Sequence, residues 1–395
     1  MTLKHNILKM YLLKGVLWFM VAMPIIVLFF QEHGLSLTEV MIIQAIYSVS
    51  VAMFEIPSGY IADLFGRKHT IVLSTIFSFS GYLVFSFFGG FYAFAAASTL
   101  VGIGGSLMSG SDSALLYDTL LETGDKKTYT KIEGRNYAIG NFSEATAGIL
   151  GGFLAVSSIY LPIYVQTGIL FLSIPIALTL VEPTMHEEDK IDRSFKAILG
   201  VVEFAMVENA KLRWLIIYSS AMGVATLAMA WFAQPFFKEV EIPLAYFGIL
   251  WAGLNFSAGL TSFNSHKFDK DESNTKMLLY LALAMATSFV FLGFNMSLFG
   301  IIFIVFIYLL RGIVTPILRN AINENTSSNK RATVLSIRSF IIRISFAICA
   351  PIFGYLADNY SLNITFYTLA IIVGVFSVLS AIRLNRLENK ASFAS

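Results

Sequence analysis

Apolar runs of about 20 residues recur from one end of the chain to the other, and nothing else in the sequence limits the fold so severely. A helix of that length rises 1.5 Å per residue and matches a hydrocarbon core of roughly 30 Å. Twelve such spans fit, near residues 9–30, 37–61, 70–88, 92–120, 131–156, 161–181, 211–236, 244–264, 276–295, 297–320, 331–357 and 361–382. Only 13% of the 395 residues are charged, about half the share of an ordinary soluble domain. The reading is an all-α membrane protein, with twelve transmembrane helices in two pseudo-symmetric six-helix bundles.

The short links test that count. With the N-terminus inside, the inner links hold Arg67, Lys68, Lys126, Lys127, Lys190, Arg193, Lys196, Lys267, Lys270 and Lys330. The outer links hold one lysine, Lys238. This asymmetry is the positive-inside pattern. It predicts a multi-pass protein of the cell inner (plasma) membrane with both termini cytoplasmic. The first apolar run is too long for a signal-peptide core and is read as a retained helix.

The longest link divides the spans six and six. The expected domains are 1–182, an N-terminal six-helix bundle; 183–210, a cytoplasmic linker; and 211–395, a C-terminal bundle. In the linker Phe195, Ile198, Leu199, Val202 and Ala205 follow helical spacing, which predicts a short amphipathic helix on the inner membrane surface. Residues 135–151 lie over 338–354 without gaps, matching Arg135 with Arg338 and Gly151 with Gly354. Repeated halves with sites near the midplane are a transporter architecture.

Ionisable residues inside a bilayer are costly, so their positions are informative. Glu144, Arg311 and Arg343 fall near mid-span; Lys14, Glu55 and Asp118 fall near inner ends, with Asp112 somewhat deeper. Glu144 shares a helical face with Gly140, Ala147, Gly148 and Gly151, so it points toward a close helix contact. It either pairs permanently with an arginine or carries a proton, burial disfavouring the charged carboxylate. Glu144 and Asp112 are the candidates for proton coupling. Arg311 and Arg343 are candidates for the substrate cavity, with Tyr308 on the face of Arg311 and Trp251 as a wall; Trp18, Trp231 and Phe232 are further possible walls. The five histidines fall in links or tails, and one cysteine, Cys349, rules out a disulfide framework. No G-x-S-x-G, Walker A or H-E-x-x-H pattern is present. Neither an enzyme nor a receptor is expected, and neither a cofactor nor a metal. The basic residues are used in topology, which leaves no case for nucleic acid.

The stretch "GYIADLFGRKHT" (59–70) joins spans two and three. Gly66 suits a sharp turn, and Gly59 permits a close helix contact. The Asp63 carboxylate can sit at a helix N-terminus, and Arg67 can reach Asp118 or Glu122. These contacts are expected to form a cytoplasmic gate that breaks when the molecule opens inward. Gly59, Ala62, Asp63, Gly66, Arg67 and Lys68 resemble the loop 2–3 signature of the major facilitator superfamily. "SGSDSALLYD" (109–118) and "RATVLS" (331–336) also resemble bacterial members. That resemblance covers the whole chain, and bacterial drug-efflux-type members are the branch it most suggests. It implies two bundles rocking about a central site, a small-molecule substrate, protons and a monomer in the lipid bilayer. The chain departs from the family pattern at Leu64, Ser98 and Gly148, where arginine, arginine and proline are usual. The expected function is proton-driven efflux of amphiphilic compounds, a multidrug antiporter. The alternative is uptake of a small metabolite, with an anion favoured by the arginines.

Overall fold

The computed structural model describes residues 3–184, 200–265, 275–327 and 330–394. Among these the protein is helical, with no strand. Fourteen α-helices follow in order: α1 Asn6–Leu17, α2 Ile26–Glu32, α3 Leu37–Phe65, α4 Arg67–Phe87, α5 Phe91–Met108, α6 Ser111–Glu122 and α7 Tyr129–Ser157. The series continues with α8 Leu161–Leu178, α9 Ala210–Glu239, α10 Ala245–Phe263, α11 Thr275–Phe294, α12 Gly300–Glu324, α13 Arg331–Asn359 and α14 Leu362–Ala394. Ten helical stretches are long and apolar enough to cross a membrane. This is a multi-pass membrane protein.

Two expected spans are broken. The first divides into α1 and α2, because Pro24 has no backbone N–H to continue a helix and opens a tight turn, Met23–Ile25. The buried Gln166 side chain accepts the freed Ala22 N–H at 3.5 Å. The fourth span divides at Ser109–Gly110, where Gly110 takes a left-handed φ of 82°. Earlier in the same span Gly102 makes a close contact: a Cβ there would meet the Ser50 Cβ at 2.8 Å.

The chain forms two compact units. Unit 1 comprises Met1–Leu35, Ile43–Asp189 and Pro243–Ala252; unit 2 comprises Ser36–Ile42, Lys190–Ile242 and Gly253–Ser395. Unit 1 takes in residues 243–252 from the second half of the chain, and unit 2 takes in 36–42 from the first. The start of α10 joins unit 1 because a Cβ on Gly248 would lie 2.1 Å from the Gly148 carbonyl oxygen of α7, an approach only glycine permits. The start of α3 joins unit 2, where Asp358 caps it. The Asp358 carboxylate accepts the Leu37 and Thr38 N–H groups at 3.0 and 2.7 Å. Gly354 lies against Thr38 at the same point.

In the linker, Phe195, Ile198 and Leu199 lie outside the described residues, as do Lys190, Arg193, Lys196, Lys267 and Lys270. From residue 200 the chain is helical and ends in a π-turn, Phe204–Glu208. Ala205 there is buried and Val207 exposed, and Asn209 caps α9 by accepting the Leu212 N–H.

Candidate functional site

In unit 1 the polar side chains gather at the breaks and turns. Asp112 lies in the first turn of α6, just past the joint, where the exposed N–H groups favour an anion. Its Oδ1 accepts the Ser113 N–H, and its Oδ2 pairs with Lys14 Nζ of α1 at 3.3 Å. The Lys14 ammonium also sits 4.7 Å from the centre of the Trp18 ring. Ser113 donates to Glu133 Oε1 of α7 at 2.8 Å. Asp112 is therefore tied to a cation on a neighbouring helix. The signal available in sequence was Lys14 itself, noted only as a residue near a helix end.

Glu144 is half-buried on α7. One turn before it, the Trp18 ring lies over Gly140, where a Cβ would be 3.1 Å from the indole. One turn after it, the Trp251 ring lies over Gly148 at the same 3.1 Å. Trp251 is 5% exposed. The glycines at 140 and 148 leave the space that the two indoles occupy, so the acid stands on a face bounded by aromatic rings.

The 59–70 turn is built as expected in part. Gly66 has φ +91°, and a Cβ there would meet the Glu182 carboxylate at 2.9 Å. Arg67 forms an ion pair with Asp118 and donates to the Ala114 carbonyl. The Asp63 side chain lies outside the described residues. The Glu182 carboxylate accepts the Arg67 and Lys68 N–H groups at 2.8 and 2.7 Å, closing the start of α4. Glu182 comes from the far end of span six, so only the packed bundle brings it here. Gly59 is half-buried within α3 and Lys68 half-buried at the start of α4. The Arg67, Asp118 and Glu182 contacts all lie within unit 1.

Unit 2 carries a different arrangement. Arg311 of α12 and Arg338 of α13 line one small cavity of about 30 Å³ together with Ser219 and Thr226 of α9 and Thr315 of α12. Arg338 Nε donates to the Ser219 hydroxyl, and Ser219 is 1% exposed. The Arg311 guanidinium lies 5.6 Å from the centre of the buried Tyr308 ring. Arg343 is half-buried and not among the lining residues. Five residues past Arg338 on one helix is a rotation of about 140° beyond a full turn, which puts the two on different faces. Arg338 was visible in sequence only as the repeat partner of Arg135.

A polytopic helical bundle with discontinuous helices, and with acids and arginines at membrane depth, has the features of a secondary transporter. The profile of the Major Facilitator Superfamily matches residues 10–308, and the chain belongs to that superfamily. A relative, the "Uncharacterized MFS-type transporter YxaM" of Bacillus subtilis (strain 168), is 23% identical over 364 residues, covering 88% of each chain. Among solved structures, a variant of the nucleoside transporter NupG is similar with TM-score 0.79, at 14% identity, over 98% of this chain and 99% of that one. The D-xylose-proton symporter is similar with TM-score 0.73, at 14% identity, over 97% of each.

Proposed function

We propose that the chain exports amphiphilic compounds against a proton gradient, with Glu144 as the proton carrier. The observation that carries this is the placement of Glu144 between Trp18 and Trp251 on a glycine face of α7. An acid bounded by aromatic rings suits an apolar solute with a polar group, and suits a carboxylate whose proton is exchanged as its surroundings change. In this reading twelve spans form two six-helix bundles, a monomer in the inner membrane with both termini cytoplasmic. Gly59, Asp63, Gly66, Arg67, Lys68 and Asp118 shape the cytoplasmic gate as the bundles alternate. The intra-unit location of the Arg67–Asp118 pair makes it a brace on one side of that gate.

The test is accumulation of a fluorescent lipophilic cation in cells stripped of their own pumps. Vector, wild type and Glu144→Gln are compared with and without a proton uncoupler. Lower accumulation in wild type alone, abolished by uncoupler, supports proton-driven export through Glu144. Equal accumulation in all three, with protein present in the membrane, sinks the cation-export reading.

A second reading, transport of a small anionic metabolite, is favoured by one observation: the arginine-lined cavity of unit 2. Uptake of radiolabelled succinate by wild type and Arg311→Ala cells distinguishes it from the first.

A further inference from the structure

Two guanidinium groups line one cavity in unit 2, and among the described residues no carboxylate pairs with either. This is physically unstable as an isolated arrangement. A cation at mid-span, where Arg311 lies, costs about 2.5–3.5 kcal/mol even on the mildest insertion scale, and Arg338, two turns into its own span, adds repulsion. Such groups persist where a counter-charge visits them. A third arginine, Arg319, two turns along α12 from Arg311, is close enough to Arg338 to add to the positive potential.

The lining decides what kind of counter-charge fits. Ser219 accepts from Arg338 Nε, which anchors the guanidinium plane and leaves its terminal nitrogens as donors. Arginine presents parallel donors that match the two oxygens of a carboxylate or phosphate, a fork that a lysine lacks. The Thr315 hydroxyl supplies a further donor, whereas Thr226 donates to the Gly223 carbonyl at 3.0 Å, and Met285, Val314 and Leu318 form an apolar wall. Thr315 is exposed, so the cavity has a mouth. Its volume of about 30 Å³, on a measure in which one water needs roughly 10–15 Å³, has room for about two waters and so for a carboxylate or phosphate group.

We infer that the Arg311–Arg338–Ser219 cavity is an oxyanion subsite, which holds the carboxylate or phosphate group of the transported solute while the rest of that solute lies outside the cavity. This rests on the second reading, transport of a small anion, and deepens it by naming the group of the solute that the arginines hold.

The experiment is thermal unfolding of the full-length protein purified in a neutral sugar detergent. Acetate, succinate and inorganic phosphate are titrated at constant ionic strength against chloride, with glucose as the neutral control. The expected result is a saturable rise in Tm with at least one of the oxyanions and none with chloride or glucose. Arg311→Gln and Arg338→Gln each weaken the half-saturating concentration at least tenfold. Arg338→Lys, which keeps the charge but not the fork, weakens it as well; it serves as the second variant if a glutamine fails to fold. A wild type that no oxyanion stabilises overturns the inference. So does stabilisation that persists in all the arginine variants. Repeating the titration in nanodiscs of phosphatidylglycerol separates the sources: a rise caused by the anionic lipid, with no response to the free anions in detergent, overturns the subsite as a solute site. Counterflow of the stabilising anion in liposomes then tests the transport reading separately. Binding without counterflow leaves the subsite standing and breaks that reading.

Discussion

In unit 1, Lys14 faces Asp112 at 3.3 Å, Arg67 faces Asp118, and Glu182 closes the start of α4. In unit 2, Arg311 and Arg338 share a cavity, and no acid among the described residues meets them. The paired charges of unit 1 join helices far apart in sequence: α1 to α6, α4 to α6, and the end of span six to α4. Removing one partner there leaves the other desolvated and alone, which costs more than the pair contributes. Arg311 and Arg338 meet no carboxylate among the described residues, and apart from the bond to Ser219 their donors face a cavity. Asp358 caps α3 in unit 2 as Glu182 caps α4 in unit 1, so the units differ in these two cations and not in their capping acids.

The largest effect expected is at Gly66. Gly66→Val places a β-branched residue at φ +91° and drives its Cβ into the Glu182 carboxylate. Unfolding free energy should fall by about 3 kcal/mol, read as a lower Tm of the purified protein. A Tm within experimental error of wild type would show that the α4 cap does not hold unit 1. Next is Lys14→Met, which strands Asp112 at a site where both side chains are mostly buried (16% and 14% exposed). A loss of about 2 kcal/mol is expected, with much of it restored in the Lys14→Met, Asp112→Asn double variant. Additive losses would remove the pair from the account.

Arg338→Gln sharpens the comparison most, because its sign is opposite. Removing an uncompensated cation should leave stability unchanged or raise it by up to about 1 kcal/mol, even though the bond to Ser219 is lost. A clear fall in Tm would mean that Arg338 is structural in the way Lys14 is. The smallest loss is expected at Ser220→Ala, which deletes the 2.9 Å bond to Ser345 on the same α9–α13 face. A fall of about 0.5–1 kcal/mol is expected. A larger one would show that polar contacts, and not apolar packing, hold that face together.

Membrane depth filters residue types, so an ionisable residue in an apolar run stands out: Glu144, Asp112 and Arg311 were named as candidates in this way, and Arg67 with Asp118 or Glu122 from the 59–70 turn. Arg338 and Ser219 were not, since a residue in the first two turns of a span looks like an end group, and a lone serine carries no pattern. Glu182 was missed for another reason. A cap is supplied by whatever acid the packing brings to the helix start, and Glu182 lies 115 residues from Arg67 in sequence.

The sequence by itself determined the helical class, the membrane and the superfamily. These depend on the lengths of apolar runs, on the placement of basic residues and on a short motif, all local properties. The tertiary structure alone decided where spans one and four break, which helix ends the two halves exchange, and which charges meet. The breaks depend on how Pro24 and Gly110 are accommodated by neighbours such as Gln166. The exchanges depend on glycines at 248 and 354 meeting backbone from distant helices. Whether a charge is a brace or a binding group depends on what stands opposite it, and that is known only once the helices are packed.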